Sequence, residues 1–197
     1  MSVILGLTGS IGMGKSTTSG FFKDAGIPVW DADAAVHQLY AKGGAAVALI
    51  GALHPAAIRD EQVDRAALRD WIARDDSALK RIEAIVHPLV AEDRQHFLAR
   101  HSDAPLVVLD IPLLFEGGGD ALCDATLVVT APPEVQRARV LARPGMTKAH
   151  LDTIVSKQMP DAQKRARATH VIETLSLDQT RAAVLDLIRA LGAEPDA

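Results

Sequence analysis

Gly9-Ser10-Ile11-Gly12-Met13-Gly14-Lys15-Ser16 is the stretch that decides how this chain folds. It satisfies the pattern G-x-x-x-x-G-K-[ST] at every fixed position. Glycines let the backbone turn its N–H groups inward around an anion, because conformations of positive φ cost them little. A nest of such groups, followed by a helix N-terminus, holds phosphate oxygens. In that setting Lys15 reaches the β- and γ-phosphates, the Ser16 hydroxyl is a hard ligand suited to Mg²⁺, and Thr17 can donate to the α-phosphate.

The flanks agree with the motif. Val3-Ile4-Leu5-Gly6-Leu7-Thr8 before it is a short apolar run, read as a buried strand. Lys15 to Asp24 after it reads as a helix, stopped by Gly26 and Pro28. Further strands are expected over 28–31, 106–110, 126–130 and 170–173, with helical patterns between them. Continuous apolar runs separated by helices predict a parallel sheet covered on both faces. The expected architecture is therefore α/β: a P-loop three-layer fold around a parallel five-stranded sheet.

Residues 34–104 do not fit a simple crossover, which needs one helix. They carry amphipathic helical pattern, with Asp64 placed to cap 65–74 and Ser77 placed to cap 78–86. This predicts an inserted helical lobe over about 34–104. The core then comprises 1–33, 105–138 and 168–197. Residues 139–167, broken at Arg143-Pro144-Gly145 and Met159-Pro160, form the expected lid. Thr147 is placed to cap a helix within that lid. Ser176 and Gln179 form a capping box for the last helix, beyond which 193–197 are expected to fray.

Composition bounds the function. Of the 197 residues 48 % are hydrophobic and 23 % charged, which is enough apolar material for a globular core. The net charge of −4 argues against a nucleic-acid binder. From Arg137 to Arg167, however, eight basic residues face two acidic ones, a local excess suited to a polyanionic ligand or to a solvated helical face. The single cysteine, Cys123, allows no internal disulfide and fits a reducing cytoplasm. No secretory signal is expected, and no apolar run approaches the ~20 residues of a membrane span. Neither a membrane nor an obligate protein partner is expected. The histidines lack metal-ligand spacing, so no zinc is inferred. Trp30 and Trp71 read as core.

Two groups of acids could join the phosphate loop. Asp31-Ala32-Asp33 ends the second strand, on the rim where open α/β sheets bind ligands. Residues two apart share a strand face, so both carboxylates would point to the site if the strand continued. An ionised carboxylate there can orient a hydroxyl and accept its proton. Alternatively, Asp33 caps a helix starting near residue 34. Asp110, at the end of an apolar strand, could hold Mg²⁺ or be a polar strand end. Pro112-Leu113-Leu114-Phe115 reads as a wall for an apolar ligand arm or as plain core. Glu116-Gly117-Gly118-Gly119 reads as a flexible loop. The chain contains no Asn, which rules out the Asn-Lys-x-Asp guanine reader of GTPases.

Taken in order, Leu7 to Thr17, Asp31-Ala32-Asp33, His87-Pro88-Leu89, Pro112-Leu113-Leu114-Phe115-Glu116, Arg139 with Arg143, and Gln158 resemble the dephospho-CoA kinases over nearly the whole chain. The resemblance implies ATP-dependent phosphorylation of the ribose 3′-hydroxyl of dephospho-CoA, giving CoA and ADP, with Mg²⁺ accompanying ATP. It also implies a helical CoA-binding lobe and a lid on a nucleoside-monophosphate-kinase-like core. Asp33 matches the acceptor-activating carboxylate. Arg139 matches a lid arginine on phosphate, and Arg143 and Gln158 match lid and nucleotide-side positions. His87 is implied to shape the acceptor pocket, with Pro112, Leu113, Leu114 and Glu116 on the acceptor side. Thr169 and Thr174 stand where the family usually has Asp and Asn, a departure on the adenine side. A kinase of another small alcohol, such as a nucleoside or sugar, would differ in the acceptor it consumes. An ATP-binding switch would hydrolyse ATP without any acceptor.

Overall fold

The computed structural model describes residues 2–195, so the fraying expected at 196 and 197 lies outside the described residues. The chain divides into two compact units, one of residues 31–100 and the other holding the rest.

The larger unit is built on one sheet. Its strands are β1 (Val3–Thr8), β2 (Val29–Asp31, whose last residue begins the other unit), β5 (Leu106–Asp110), β6 (Ala125–Thr130) and β7 (His170–Glu173), in the spatial order β2-β5-β1-β6-β7. β1 pairs in parallel with β5 and β6, and β6 with β7. The helices of this unit are α1 (Lys15–Asp24), α6 (Pro133–Leu141), α7 (Lys148–Ser156), α8 (Asp161–Arg167) and α9 (Leu177–Ala190). The α/β class and the five-stranded parallel sheet match the expectation.

Side-chain alternation divides the central strands between two faces. Leu5 and Leu7 of β1, Leu106 and Val108 of β5, and Leu127 and Val129 of β6 join one apolar cluster with Phe22 of α1 and Val184 and Ile188 of α9. Each such side chain, once buried, stabilises the fold by about 1.5–3 kcal/mol before entropy is counted. The residues between them, Val107, Leu109 and Val128, are also fully buried. With both faces covered, no period of two shows in the sequence. On the second face Gly6 is required by contact: a Cβ there would lie 2.7 Å from Cys123 Sγ and 2.9 Å from Leu114 Cδ2.

The last helix begins as expected, with Ser176 Oγ accepting the Gln179 N–H at 3.3 Å. Thr147 likewise caps α7, taking the His150 N–H at 3.2 Å. Ala193, expected to fray, is instead 1 % exposed, and its N–H donates to the Ile188 carbonyl at 3.1 Å.

The smaller unit contains α2 (Ala32–Tyr40), α3 (Ala45–Leu53), the short pair β3 (Ile58–Arg59) and β4 (Gln62–Val63), α4 (Arg65–Arg74) and α5 (Ala78–Arg100). Ala46, Ile50, Val63, Leu68, Trp71, Ile82 and Val86 form its own core. Asp64 caps α4 as expected, accepting from Ala67 and Ala66. Those two backbone N–H bonds, Ala67's foremost, hold its carboxyl below the usual carboxylate range against a small opposing effect of burial.

Three readings are corrected here. The lobe is not purely helical: β3 and β4 pair antiparallel through Asp60 and Glu61, whose φ angles are 50° and 60°. Neither residue is the glycine or asparagine that usually marks such a turn, so the hairpin was invisible. The helix starting at Ala78 does not end at Val86. It passes through Pro88 to Arg100, so His87 is no boundary residue but an exposed one in mid-helix. Pro88 removes one backbone donor, yet Ile82, Ile85, Val86, Leu89 and Val90 pack into the core on either side of it. Ser77 does not act as a simple cap either; its hydroxyl donates to Asp75 Oδ1 at 2.7 Å.

Among the described residues, no helix is long and apolar enough to cross a membrane.

Candidate active site

The phosphate loop runs from the end of β1 to the start of α1. Gly12 and Gly14 have φ of +78° and +87°, so both positions require glycine. Gly14 is also the N-terminal cap residue of α1, and no side chain caps the helix there. The first-turn donors therefore stay available to an anion. A Cβ at Gly14 would lie 2.8 Å from Thr174 Oγ1. Gly14→Ala is thus expected to cost about 1–3 kcal/mol through strain and collision. Thermal denaturation with and without ATP checks this, and an unchanged midpoint with unchanged ATP affinity would refute it.

Two glutamines pin the tip of the loop. The Ile11 N–H donates to Gln158 Oε1 at 3.2 Å, and the Ile11 carbonyl accepts from Gln136 Nε2 at 2.8 Å. Met13 is buried, and its sulfur accepts the Ala131 N–H at 3.0 Å. Gln158 was expected on the nucleotide side. Gln136 carries no mark in the sequence, since nothing in a helix pattern distinguishes one glutamine from several.

Lys15 Nζ lies 2.6 Å from Asp110 Oδ1, and Asp110 is only 2 % exposed. β1 and β5 are neighbours, and Leu7 is in register with Asp110, which brings the strand-end acid beside the loop lysine. The two readings of Asp110, metal ligand and polar strand end, meet a third: its carboxylate is the counter-ion of Lys15. Ser16 and Thr17 are exposed in the first turn of α1.

Arg139 lies in the last turn of α6. Its guanidinium donates to Thr174 Oγ1 at 3.0 Å and also to the Thr174 carbonyl. Thr174 Oγ1 in turn donates to the Met13 carbonyl at 2.9 Å, with the Thr130 carbonyl at 3.3 Å. Arg139 is thereby coupled to the loop backbone through one threonine. With Gly12, Gly14, Arg143 and Leu177 these residues line a cavity of about 260 Å³ beside Thr17. Thr174 marked a departure from the family pattern; its hydroxyl serves as a buried bracket under the loop. Thr169, the other departure, exchanges bonds with Thr126, each backbone N–H donating to the other's Oγ1 at 3.0–3.1 Å.

The segment after β5 is not the flexible loop expected. The Gly117 N–H donates to the Leu113 carbonyl at 2.9 Å and the Gly119 N–H to the Leu114 carbonyl at 2.7 Å. Pro112 accepts at its carbonyl from Thr8 Oγ1 at 3.0 Å. Leu114 is fully buried against Gly6, which makes it core, while Leu113 is exposed. Glu116 Oε1 accepts the Met159 N–H at 2.8 Å and lies 3.0 Å from Nζ of Lys164, which is completely buried. The contact is an ion pair, with the ammonium buried against the carboxylate. Burial works to raise the Glu116 carboxyl, but the N–H of Met159, its own N–H and Lys164 together hold it below the usual range.

In the smaller unit Asp31, not Asp33, caps α2, its Oδ1 accepting the Ala34 N–H at 3.0 Å. The strand stops at Asp31 and the helix starts at once, so the two carboxylates do not share a strand face. Asp33 instead falls in the first helical turn and lines a cavity of about 530 Å³ with Val36, Tyr40, Arg65, Leu68 and Arg69. Arg65 lies over the Tyr40 ring at 5.7 Å. Burial raises the Tyr40 phenol above its ordinary value, although Arg65 opposes this.

A phosphate loop on a parallel sheet is common to many kinases, and comparisons with known proteins narrow the choice. The model of the dephospho-CoA kinase family (CoaE) matches residues 3–178. A Jannaschia sp. (strain CCS1) protein called Dephospho-CoA kinase is 65 % identical over 191 residues, covering 97 % of this chain and 98 % of its own. One from Cereibacter sphaeroides with the same name is 60 % identical over 193 residues, with 98 % of each chain covered. Among solved structures, TT1252 from Thermus thermophilus superposes with a TM-score of 0.83 at 37 % identity, covering 96 % of this chain and 97 % of that one. A match of this extent leaves one assignment: the chain belongs to the dephospho-CoA kinase family.

Proposed function

We propose that this kinase transfers the γ-phosphoryl group of ATP to the ribose 3′-hydroxyl of dephospho-CoA, giving CoA and ADP, the last step of coenzyme A synthesis. The observation that carries the reading is identity of 60–65 %, over 97–98 % of this chain, to proteins called Dephospho-CoA kinase. The geometry of the phosphate loop supports it.

In this reading the triphosphate lies on the N–H groups of residues 9–17, and Lys15 moves from Asp110 alone to a position shared with the β- and γ-phosphates. Arg139, with Arg143, offsets charge that develops on the phosphoryl oxygens. Little covalent work is asked of the protein; positioning and electrostatics supply most of the rate. The cavity edged by Leu177 and Thr174 suits the base of ATP. Mg²⁺ fits the donors present. The Ser16 hydroxyl would hold it beside the phosphates, because this ion needs few protein oxygens and keeps water and phosphate for the rest. When bound it neutralises phosphate charge. The setting is cytoplasmic.

On the acceptor side, Asp33 orients the 3′-hydroxyl and takes its proton late in the transfer. Arg65 and Arg69 are four apart on α4 and share a face. Two such cations beside Asp33 suit the diphosphate of dephospho-CoA. Arg65→Ala and Arg69→Ala are each expected to raise the dephospho-CoA KM about 10-fold, with the ATP KM nearly unchanged. Steady-state kinetics with each substrate varied in turn will show whether the effect is confined to the acceptor.

The function itself is tested by incubating the protein with ATP and dephospho-CoA and identifying the product by mass spectrometry. Phosphate on the ribose 3′-oxygen is the expected result. Transfer to a nucleoside or sugar, or hydrolysis indifferent to dephospho-CoA, would overturn the reading.

A further inference from the structure

We infer that the Glu116–Lys164 pair is a positioning element for ATP, holding Gln158 against the phosphate loop, rather than a contact to the acceptor. The inference rests on the proposed function for ATP as the ligand of the phosphate loop and for the name of the acceptor.

Three observations converge on residues 157–160, which join α7 to α8. Gln158 Oε1 accepts the Ile11 N–H at the tip of the phosphate loop. The next residue, Met159, donates its N–H to Glu116 Oε1 at 2.8 Å. The same carboxylate oxygen lies 3.0 Å from the Lys164 ammonium, which is wholly buried. One carboxylate therefore fixes the backbone immediately after Gln158 and pairs with a cation one helical turn further along.

A second tie acts on the same face of α8. Arg167, three residues after Lys164, bonds Asp120 Oδ2 at 2.7 Å and stacks on the Phe115 ring at 4.7 Å. Residues 115–120 and α8 are thus joined by two charged contacts, and Gln158 sits at the end of the joined piece. A side-chain amide has several rotatable bonds. It holds a loop N–H well only if its backbone is fixed, since otherwise rotamer entropy opposes the contact. Glu116 supplies that fixing. The buried lysine makes the arrangement sharply defined, because a buried ammonium separated from its carboxylate is costly.

The consequence falls on ATP. Ile11 lies between Gly9 and Gly12, so a loosened Gln158 leaves the loop tip held at the Ile11 carbonyl by Gln136 alone, and more of the cradle must be ordered when nucleotide binds. Glu116→Ala is expected to weaken ATP binding about tenfold, read as Kd by calorimetry without acceptor and as KM in turnover. The dephospho-CoA KM and kcat should stay within about two-fold. Gln158→Ala should give the same shift, and the double variant no more than either alone, because both act through one contact. Glu116→Gln keeps an oxygen for the Met159 N–H but leaves the buried Lys164 ammonium without its counter-charge, so it should recover only part of the ATP affinity.

If Glu116→Ala fails to fold, the cycle is run with Lys164→Met added, which removes the buried charge along with its partner. Additive effects of Glu116→Ala and Gln158→Ala would overturn the inference. So would a rise confined to the dephospho-CoA KM, which would return Glu116 to the acceptor side. A wild-type protein that binds ATP but ignores dephospho-CoA would sink the proposed function and leave the calorimetric cycle readable.

Discussion

Lys15→Met is expected to lower kcat about 100- to 1,000-fold, roughly 2.7–4 kcal/mol of transition-state stabilisation. In the proposed transfer, charge is spread over the three equatorial phosphoryl oxygens, and Lys15 is the cation the loop would bring to them. Its position depends on Asp110, 2.6 Å away and 2 % exposed. The substitution therefore also removes the cation beside a buried carboxylate, and a lower denaturation midpoint should accompany the kinetic loss. Arginine is not expected to rescue the rate. Its planar fork is not interchangeable with a compact ammonium held 2.6 Å from Asp110 Oδ1. Stopped assays at saturating ATP and dephospho-CoA measure the effect, beside thermal melts to separate unfolding from lost chemistry. A Lys15→Met protein that melts like wild type and keeps more than a tenth of its kcat would remove the lysine from the mechanism.

Asp33→Asn is expected to reduce kcat by about 100-fold or more while leaving ATP affinity within two-fold. The amide has the same shape, so α2 should be undisturbed, particularly since Asp31 and not Asp33 caps it. On the proposed role of Asp33, what disappears is the proton acceptor and the charge that orients the hydroxyl. The structure makes this test cleaner than the sequence promised, because the capping role that competed for Asp33 belongs to its neighbour. Pre-steady-state mixing with labelled ATP isolates the chemical step. Should the transfer rate survive in Asp33→Asn, the proton must go to another group or directly to water.

In sequence, Thr174 is marked only by standing where the family resemblance leads one to expect Asn. Its role depends on contacts to Met13, 161 positions earlier, and to Arg139. No local pattern encodes such a contact. The same holds for Lys164. In sequence it is one of several cations in a basic stretch, which suggested either a polyanion site or a solvated face. It is in fact fully buried on Glu116. Arg139 also came out of that stretch, and it reaches the phosphate loop through Thr174. A charge count cannot separate the two, because burial is settled by which segments meet.

Local physics alone was enough for the sheet and the phosphate loop. Apolar runs between punctuating residues located the strands of the large sheet, and the glycines and Lys15 marked the phosphate loop because positive φ and a fixed spacing leave few alternatives. Asp64 and Thr147 capped the helices they precede for the same reason: a cap acts within three residues. Tertiary packing decided the rest. It carried α5 through Pro88, since burial on both sides outweighs one missing hydrogen bond. It closed a hairpin at Asp60-Glu61 without a turn glycine. It set Glu116 on Met159 and Lys164, because the worth of a charge depends on what surrounds it, and that is fixed only when distant parts of the chain come together.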